Sequence, residues 1–528
     1  MMSKLVLPIA IKDENNTQEI QNLLDMKEPC ISFSMDNLAG LLGQGAYVVL
    51  DFGKEIAGGV RLLTRGVGNG PATLRITFGE SLTEACSRVG EGTATNDHSP
   101  RDFTVQVSNM SDLAFGQSGF RFVRLEVVSD HTVWLRSVYA VNNLPFLKNE
   151  GKITTNDALL NQIMDAAQYT LKLTFQNGYI WDGVKRDRMV WCGDLNPEIL
   201  ASLYLFDNHN NIKNSLRFLR KDTKSGHWIN TIPTYSAWWV INLCDYCRIS
   251  GDWAFFQEQK DYALEILVML DNAAKADGQI DFGKVESDMP FFLDWPTFQT
   301  EDAVTGTAAL LCYTAKLYLQ IEHNENAAAI YEKLGSYLDK PCEAKCVRAF
   351  QILAGRRHPD DAAFLEAGGA KGLSTFMAYY ILKADALAGG TQMLSMLKEY
   401  YGGMLERGAT TFWEDFDLDW LEGSGRIDEF PAEGQKDIHA DYGNFCYKGL
   451  RHSLCHGWSA GVLAFLVEWV LGLSLSGREK KATFQHHPLG LTDIDATLPV
   501  EGGSLEISLH DGNWTVQGPE KLWVVREA

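Results

Sequence analysis

The residue pattern of this chain changes period twice, near residues 150 and 475, and those two changes constrain its fold more than any other feature. Residues 45–143 hold short runs such as AYVVLDFG, GGVRLLTR, ATLRITFG, DFTVQVS, GFRFVRLEVV and TVWLRSVYAV, rich in β-branched and aromatic residues and separated by Gly, Pro, Asn and Asp. That spacing predicts an antiparallel β-sandwich. From about 153 to 475, segments of ten to twenty residues carry apolar positions at helical spacing, among them NDALLNQIMDAAQYTLKLTF, WAFFQEQKDYALEILVMLDNAA and STFMAYYILKADAL. About a dozen such segments with no fixed-period repeat predict a ring of paired helices, an (α/α)6 toroid, rather than a solenoid. Residues 480–528 return to strand texture in ATFQHHP, DATLPV, SLEISLHD, NWTVQG and KLWVV.

The expected architecture is therefore multidomain α+β. It has an N-terminal β-sandwich over residues 1–150, a central (α/α)6 toroid over 151–475 and a small C-terminal β domain over 476–528. A chain of 528 residues has room for two to four domains. No low-complexity linker separates the three regions, so they are expected to pack together.

Composition narrows the function classes. The formal net charge is −21, which disfavours nucleic acid and anionic membranes as partners. No apolar run is long enough to span a bilayer, and the apolar stretch before Asp13 is short for a secretory signal. A cytoplasmic chain is expected. The ten Cys are scattered; Cys244 and Cys247 form a CxxC inside a helical run, and with no second CxxC they read as packed thiols rather than zinc ligands. Fourteen Trp are present, and several cluster beside acidic residues in mid-chain. Flat apolar faces beside hydroxyl-binding groups point weakly toward carbohydrate.

The densest polar stretch is WDGVKRDRMVWCGDLNPE, residues 181–198, which reads as a loop running into a helix N-terminus. It carries Asp182, Lys185, Arg186, Asp187, Arg188, Asp194 and Glu198 between and beside Trp181 and Trp191. A solvated, salt-bridged loop is the plain alternative, with Asp194 or Asn196 capping the next helix. A second stretch, ERGATTFWEDFD, places Glu414 directly after Trp413; a third, SLCHGWSAG, places His456 and Trp458 before an apolar helix. Paired carboxyls suit glycosidic cleavage, because one must protonate the leaving oxygen while another activates water or attacks directly. Residue types alone do not choose the pair.

These motifs resemble those of bacterial α-L-rhamnosidases of glycoside hydrolase family 78. The likeness runs through VVLDFGKEIAGGVRL and GFRFVRLEV, through DGVKRDRMVWCGD as a variant of the family's DxxxRDExxxWxGD, and through ATTFWEDFD and SLCHGWSAG. The resemblance implies hydrolysis of terminal α-L-rhamnose with inversion, with no cofactor or metal. A calcium ion on some other acidic loop is left open. The implied general base is Glu414. Matching the Trp-x-Gly-Asp end without a gap puts Asp187 at the general-acid position, where the family has Glu. Matching from the Arg-Asp end puts Arg188 there, and an arginine cannot donate a proton at neutral pH. Asp182, Arg186, Trp191, Asp194, Asp294, Trp295, Trp413 and His456 are the implied substrate-binding residues. The implied partner is a small molecule or oligosaccharide bearing terminal rhamnose, with no nucleic acid and no membrane, and the reading leaves room for a homodimer. Two other readings stay open: a non-catalytic carbohydrate-binding homologue, and a related glycosidase acting on another deoxysugar or a uronide.

Overall fold

The computed structural model describes residues 2–25, 40–67, 70–487 and 489–526. Near the N-terminus, seven strands form one antiparallel sheet. Six lie in the spatial order Met2–Val6, Val133–Leu144, Gly40–Val67, Asp112–Val127, Ala72–Gly79 and Asp102–Val107, and Ala10–Gln18 also pairs with Gly40–Val67. The runs AYVVLDFG and GGVRLLTR, separate in the sequence reading, belong to a single strand of 28 residues. Register shifts between Asp51 and Ile56, and between Gly58 and Val60, bend it, so that its two halves pair with different stretches of its neighbours. Glycine is needed at the bend: a Cβ on Gly58 would lie 1.9 Å from the Val141 carbonyl oxygen, and one on Gly59 2.3 Å from that of Gly116. The sheet has its own apolar core, in which Phe78 stacks on Phe120 beside Leu50 and Phe52.

Twelve α-helices lie between Ala158 and Phe465. Six of them, Leu195–Leu205, Pro233–Ser250, Asp302–Leu319, Lys345–Ala354, Ala378–Leu387 and Val462–Phe465, pack each on the next, and the last packs back on the first. Their composition explains the position. Every residue of Leu195–Leu205 is buried, as is nearly all of Pro233–Ser250, and a helix that is apolar all round belongs in an interior. The helices that alternate with them bury only one stripe. Asn210–Asp222, for example, covers Ile212, Ser215, Leu216 and Leu219 and leaves the rest to solvent. Side-chain caps fix several starts: Asp157 accepts from the Leu160 N–H, Asp252 from Phe255 and Asn324 from Ala327. Cys244 and Cys247 are buried on Pro233–Ser250. Among the described residues, no helix is long and apolar enough to cross a membrane.

Two small sheets complete the described chain. One joins Leu473–Ser476, Lys481–Phe484 and Trp523–Arg526. The other orders Asn513–Gln517, Gly503–His510, Ile494–Val500 and Lys152–Thr155, so its edge strand comes from residues that precede the first long helix. Ile494, Leu498, Leu505 and Ile507 share one apolar core with the helices.

The N-terminal sheet is joined to the helical region by buried charge. The Arg121 guanidinium bonds both oxygens of Asp51 at 2.9 Å and also reaches the Gly408 carbonyl at 3.1 Å. Lys185 Nζ, from the helical side, lies 3.0 Å from Glu80 and 3.1 Å from Glu84, and it also donates to the carbonyls of Leu450 and His452. The expectation that the regions pack together is met at this seam.

Candidate active site

The loop between Ile180 and helix Leu195–Leu205 is tied at several points. The Asp182 N–H donates to the Met189 carbonyl at 2.9 Å, and Asp182 Oδ1 accepts from the Met189 N–H at 2.8 Å. The Gly457 N–H donates to the Asp182 carbonyl at 2.7 Å, which brings the His456 segment alongside. Within the closed turn, Asp187 and Arg188 sit at φ 51° and 59°. Two successive non-glycine residues in the left-handed region cost about 1–2 kcal/mol each. The fixed neighbours on either side hold them there.

One pocket collects eight of the ten residues singled out from the sequence: Asp182, Arg186, Asp187, Trp191, Asp194, Trp295, Glu414 and His456. Its volume is about 60 Å³, far below the roughly 300–1,000 Å³ of ligand pockets in general. The site is not the largest cavity of the molecule. Clefts of about 410 and 430 Å³ lie elsewhere, each between helices and the C-terminal strands. The site is narrow because its aromatic walls close on a guanidinium at its centre.

That guanidinium is Arg186. It grips both oxygens of Glu414 and packs over the Tyr447 ring with its carbon 4.9 Å from the centroid. Burial pushes the Glu414 carboxyl up, but Arg186 and then His456 outweigh it and hold the group down to about 2. The Ser453 N–H adds a bond at 3.2 Å to Glu414 Oε2. Opposite, Asp194 Oδ1 lies 2.9 Å from His456 Nε2, and Asp194 Oδ2 accepts from the Tyr235 hydroxyl at 3.2 Å. Burial raises Asp194 above the ordinary carboxylate range. Burial, then the negative charges of Asp187 and Asp194, push Asp182 well above it. The pocket thus holds one carboxyl, Glu414, pulled strongly down and two, Asp182 and Asp194, pushed up.

Asp187 lies at the pocket mouth with its side chain 17 % exposed. Its Oδ2 accepts from Trp191 Nε1 at 3.0 Å; its Oδ1 lies 3.5 Å from Arg186 Nη1 and 3.1 Å from His98 Nδ1. Lys185 and Arg188 turn away. Lys185 faces Glu80 and Glu84, and Arg188 donates to the Gln117 carbonyl at 3.1 Å and covers the Trp181 ring.

Asp294 and Trp413 do not line the pocket. Asp294 is buried behind it, accepting from the Trp295 N–H at 2.8 Å and from the Ser374 hydroxyl at 2.5 Å, so it fixes Trp295; burial raises its carboxyl to about 6. Trp413 is fully buried and packs edge-on against Phe416 and His452. Sequence reasoning did not pick out Tyr235, Phe292, Tyr447 and Trp458 as site residues, although all four line the pocket. Trp458 was visible two positions after His456. Tyr447 lies in a long irregular segment with no motif of its own. His98 comes from the N-terminal region, which no local pattern connects to this loop.

Residues 148–337 match the family model described as bacterial alpha-L-rhamnosidase 6 hairpin glycosidase domain. No curated protein matches the sequence. Among solved structures, the family 78 rhamnosidase of Bacillus sp. GL1 superposes with a TM-score of 0.72 at 18% identity, over 96% of this chain and 55% of that one. This chain thus spans little more than half the length of that relative. The rhamnosidase from Klebsiella oxytoca with rhamnose bound gives 0.66 at 20% identity, over 88% and 95%. The Streptomyces avermitilis α-L-rhamnosidase complexed with L-rhamnose gives 0.62 at 15%, over 92% and 50%. At such identities these likenesses establish the fold. The resemblance first read from motifs therefore stands on independent ground: the chain is similar to bacterial α-L-rhamnosidases in its six-hairpin glycosidase domain and, in fold, over nearly its whole length.

Proposed function

We propose that this chain is a glycoside hydrolase that removes terminal α-L-rhamnose by an inverting acid/base mechanism. The scaffold would be an (α/α)6 toroid over 151–475 between an N-terminal β-sandwich, 1–150, and a small β domain, 476–528. The closed circuit of six inner helices supports that reading. The observation that carries the function is the convergence of Asp182, Arg186, Asp187, Trp191, Asp194, Trp295, Glu414 and His456 on one pocket, from stretches more than two hundred residues apart.

In this mechanism Asp187, at the mouth, protonates the departing oxygen, and Glu414, deep in the pocket, activates water on the opposite face of the sugar. Glu414 is ionised throughout the working pH range, as a base must be. Its two bonds to Arg186 have to loosen before its lone pairs can take a proton, and a hydroxyl of the entering sugar can compete for the guanidinium. Asp182, Asp194, His456 and Tyr235 offer donors and acceptors for sugar hydroxyls, and Trp191, Trp295 and Trp458 offer flat faces for its C–H surfaces. Trp295 would act with support from Asp294, and Trp413 as packing behind Glu414.

A second reading has its own support. The clamp that holds Glu414 down to about 2 makes it a weak base, and Asp187 stands one methylene short of the family's Glu. A carbohydrate-binding homologue without turnover would keep such a pocket. Hydrolysis of a chromogenic α-L-rhamnoside, beside a panel of other chromogenic glycosides and with calorimetric titration of L-rhamnose, separates the readings. Turnover of the rhamnoside alone supports the first. Rhamnose binding without turnover supports the second, and turnover of a different glycoside moves the substrate to another deoxysugar or a uronide.

A further inference from the structure

A pocket closed at one end fixes where a leaving group must go. Glu414 lies at the closed end with its side chain 1 % exposed, and Asp187 at the open end with 17 %. A terminal sugar seated between them can carry its leaving group only outward, over the rim. One stretch of that rim is Phe445, whose ring stacks on Trp295 with centroids 5.3 Å apart and planes 29° apart. Trp295 lines the pocket, as do Cys446 and Tyr447, the next two residues of the chain. The Phe445 ring itself stands outside the cavity, 42 % exposed.

Packing and backbone both disfavour a phenylalanine at this position. Its φ is 57°, in the left-handed region where bulky side chains are rare and Gly or Asn is at home. Its exposed ring also forgoes burial. The loop nevertheless holds it there. The Tyr447 N–H donates to the Asn444 carbonyl at 2.9 Å, the Gly449 N–H donates to that of Tyr442 at 2.8 Å, and Arg451 Nη1 donates to the Cys446 carbonyl. Gly443, at φ 98°, admits the Tyr447 carbonyl, since a Cβ there would lie 2.0 Å from its oxygen. Residues held in such conformations cluster at ligand clamps. The neighbouring surfaces decide the ligand's chemistry. Trp295, Phe298 edge-on to it at 5.7 Å, and Met289 on the pocket wall bring no hydroxyl, amide or carboxyl. Deeper in the pocket the aromatic faces stand among Asp182, Asp194, His456 and Tyr235. A second sugar would need partners of that kind for its hydroxyls, whereas a flat aromatic ring needs none.

We infer that Phe445 is a specificity-determining residue: with Trp295 it forms a leaving-group subsite that selects α-L-rhamnosides whose leaving group is an aromatic ring joined directly to the glycosidic oxygen. The inference rests on the terminal-rhamnose reading of the pocket.

The test titrates phenyl and methyl 1-thio-α-L-rhamnopyranoside, which resist hydrolysis, beside L-rhamnose into wild type, Phe445→Asn and Phe445→Tyr. Asn suits the left-handed backbone, so Phe445→Asn should keep the wild-type Tm. Wild type should bind the phenyl compound about tenfold more tightly than the methyl one. Phe445→Asn should bring the two within about twofold, Phe445→Tyr should keep the preference, and the Kd for L-rhamnose should be the same in all three proteins. On substrates, Phe445→Asn should raise KM for an aryl α-L-rhamnoside by about tenfold with kcat kept, and leave KM for a rhamnosyl-glucose disaccharide unchanged. Wild type that binds L-rhamnose but does not prefer the phenyl compound overturns the inference alone, as does a preference that survives in Phe445→Asn. A parallel loss of L-rhamnose affinity in Phe445→Asn makes Phe445 a brace for Trp295 and overturns it too. Wild type that binds none of the three ligands refutes the reading of the pocket itself, and the inference with it.

Discussion

Lys185 and Arg186 are neighbours in the chain, yet they neutralise two separate buried anion groups of opposite character. Lys185 points to the seam with the N-terminal sheet, where Glu80 and Glu84 lie within reach of its ammonium and Glu55 is buried close by. Arg186 points into the pocket and bonds Glu414 through Nε and Nη2, with Nη1 3.5 Å from Asp187. At the seam one ammonium serves several acids, and burial dominates: Glu80 is raised to about 7 and Glu55 well above its usual range. In the pocket one planar cation makes two bonds to the same acid, and its charge, with that of His456, wins over burial, holding Glu414 down to about 2. The difference teaches that burial alone does not set a carboxyl's state. The number and geometry of cation contacts per acid decide it.

The largest expected effect of breaking this comparison is on the seam. Replacing Lys185 by Met keeps the stem but strips the cation from two buried carboxyls. Removing one partner of a buried ion pair costs about 3–5 kcal/mol, which urea unfolding should read as a lower midpoint with little change in slope. A loss under 1 kcal/mol would show that the acids simply take up protons and that the ammonium is not needed.

The pocket arm is broken by Glu414→Gln, which keeps the size of the side chain but cannot accept a proton. kcat should fall by at least about 100-fold with KM near its original value. Turnover close to wild type would remove Glu414 from the proposed chemistry. Asp187→Asn should cost as much on poor leaving groups while largely sparing activated aryl glycosides, because an activated leaving group needs little protonation; equal losses on both would remove Asp187 as the acid.

A smaller effect is expected where a residue picked as substrate-binding is instead a support. Asp294 touches Trp295 and Ser374 rather than the cavity. Asp294→Ala should lose a turn cap worth about 1 kcal/mol and raise KM several-fold through a looser Trp295, with kcat nearly kept. A collapse of kcat would return Asp294 to the reacting centre.

These contrasts also mark what was legible in the sequence. The β, helical and β textures were readable because each is a local periodicity. The pocket loop was readable because its acids, Arg186 and Trp191 crowd into eighteen residues, 181–198. Strand Lys152–Thr155 was not assigned to the C-terminal sheet, since its partner Ile494–Thr497 lies more than three hundred residues away. Asp294 and Trp413 were implied by the family resemblance, which matches positions in the chain and not side-chain directions; both side chains point behind the pocket wall. His98 carried no signal, because its neighbours at the pocket mouth, Arg451 and Asp187, come from distant segments.

The finest test of the comparison is the pH dependence of stability, because the two regions should act on opposite limbs. Glu414 is held at about 2, below its unfolded value of about 4.5. Its contribution is present above 4.5 and is lost as pH falls through the interval toward 2. Glu80 is raised to about 7, above the same reference. Its contribution is fully present below 4.5 and is lost as pH rises through about 7. Each group changes one proton, so neither slope can exceed about 1.4 kcal/mol per pH unit. Unfolding free energies measured from pH 3 to 8 should therefore show a shallow maximum. Glu414→Gln should flatten the acid side and leave the neutral side unchanged, and Glu80→Gln should do the reverse. If both variants flatten the same side, or if Glu80→Gln leaves the neutral limb as steep as before, then seam and pocket do not differ in the way their cation contacts imply. The Lys185 ammonium would then hold Glu80 ionised as firmly as Arg186 holds Glu414.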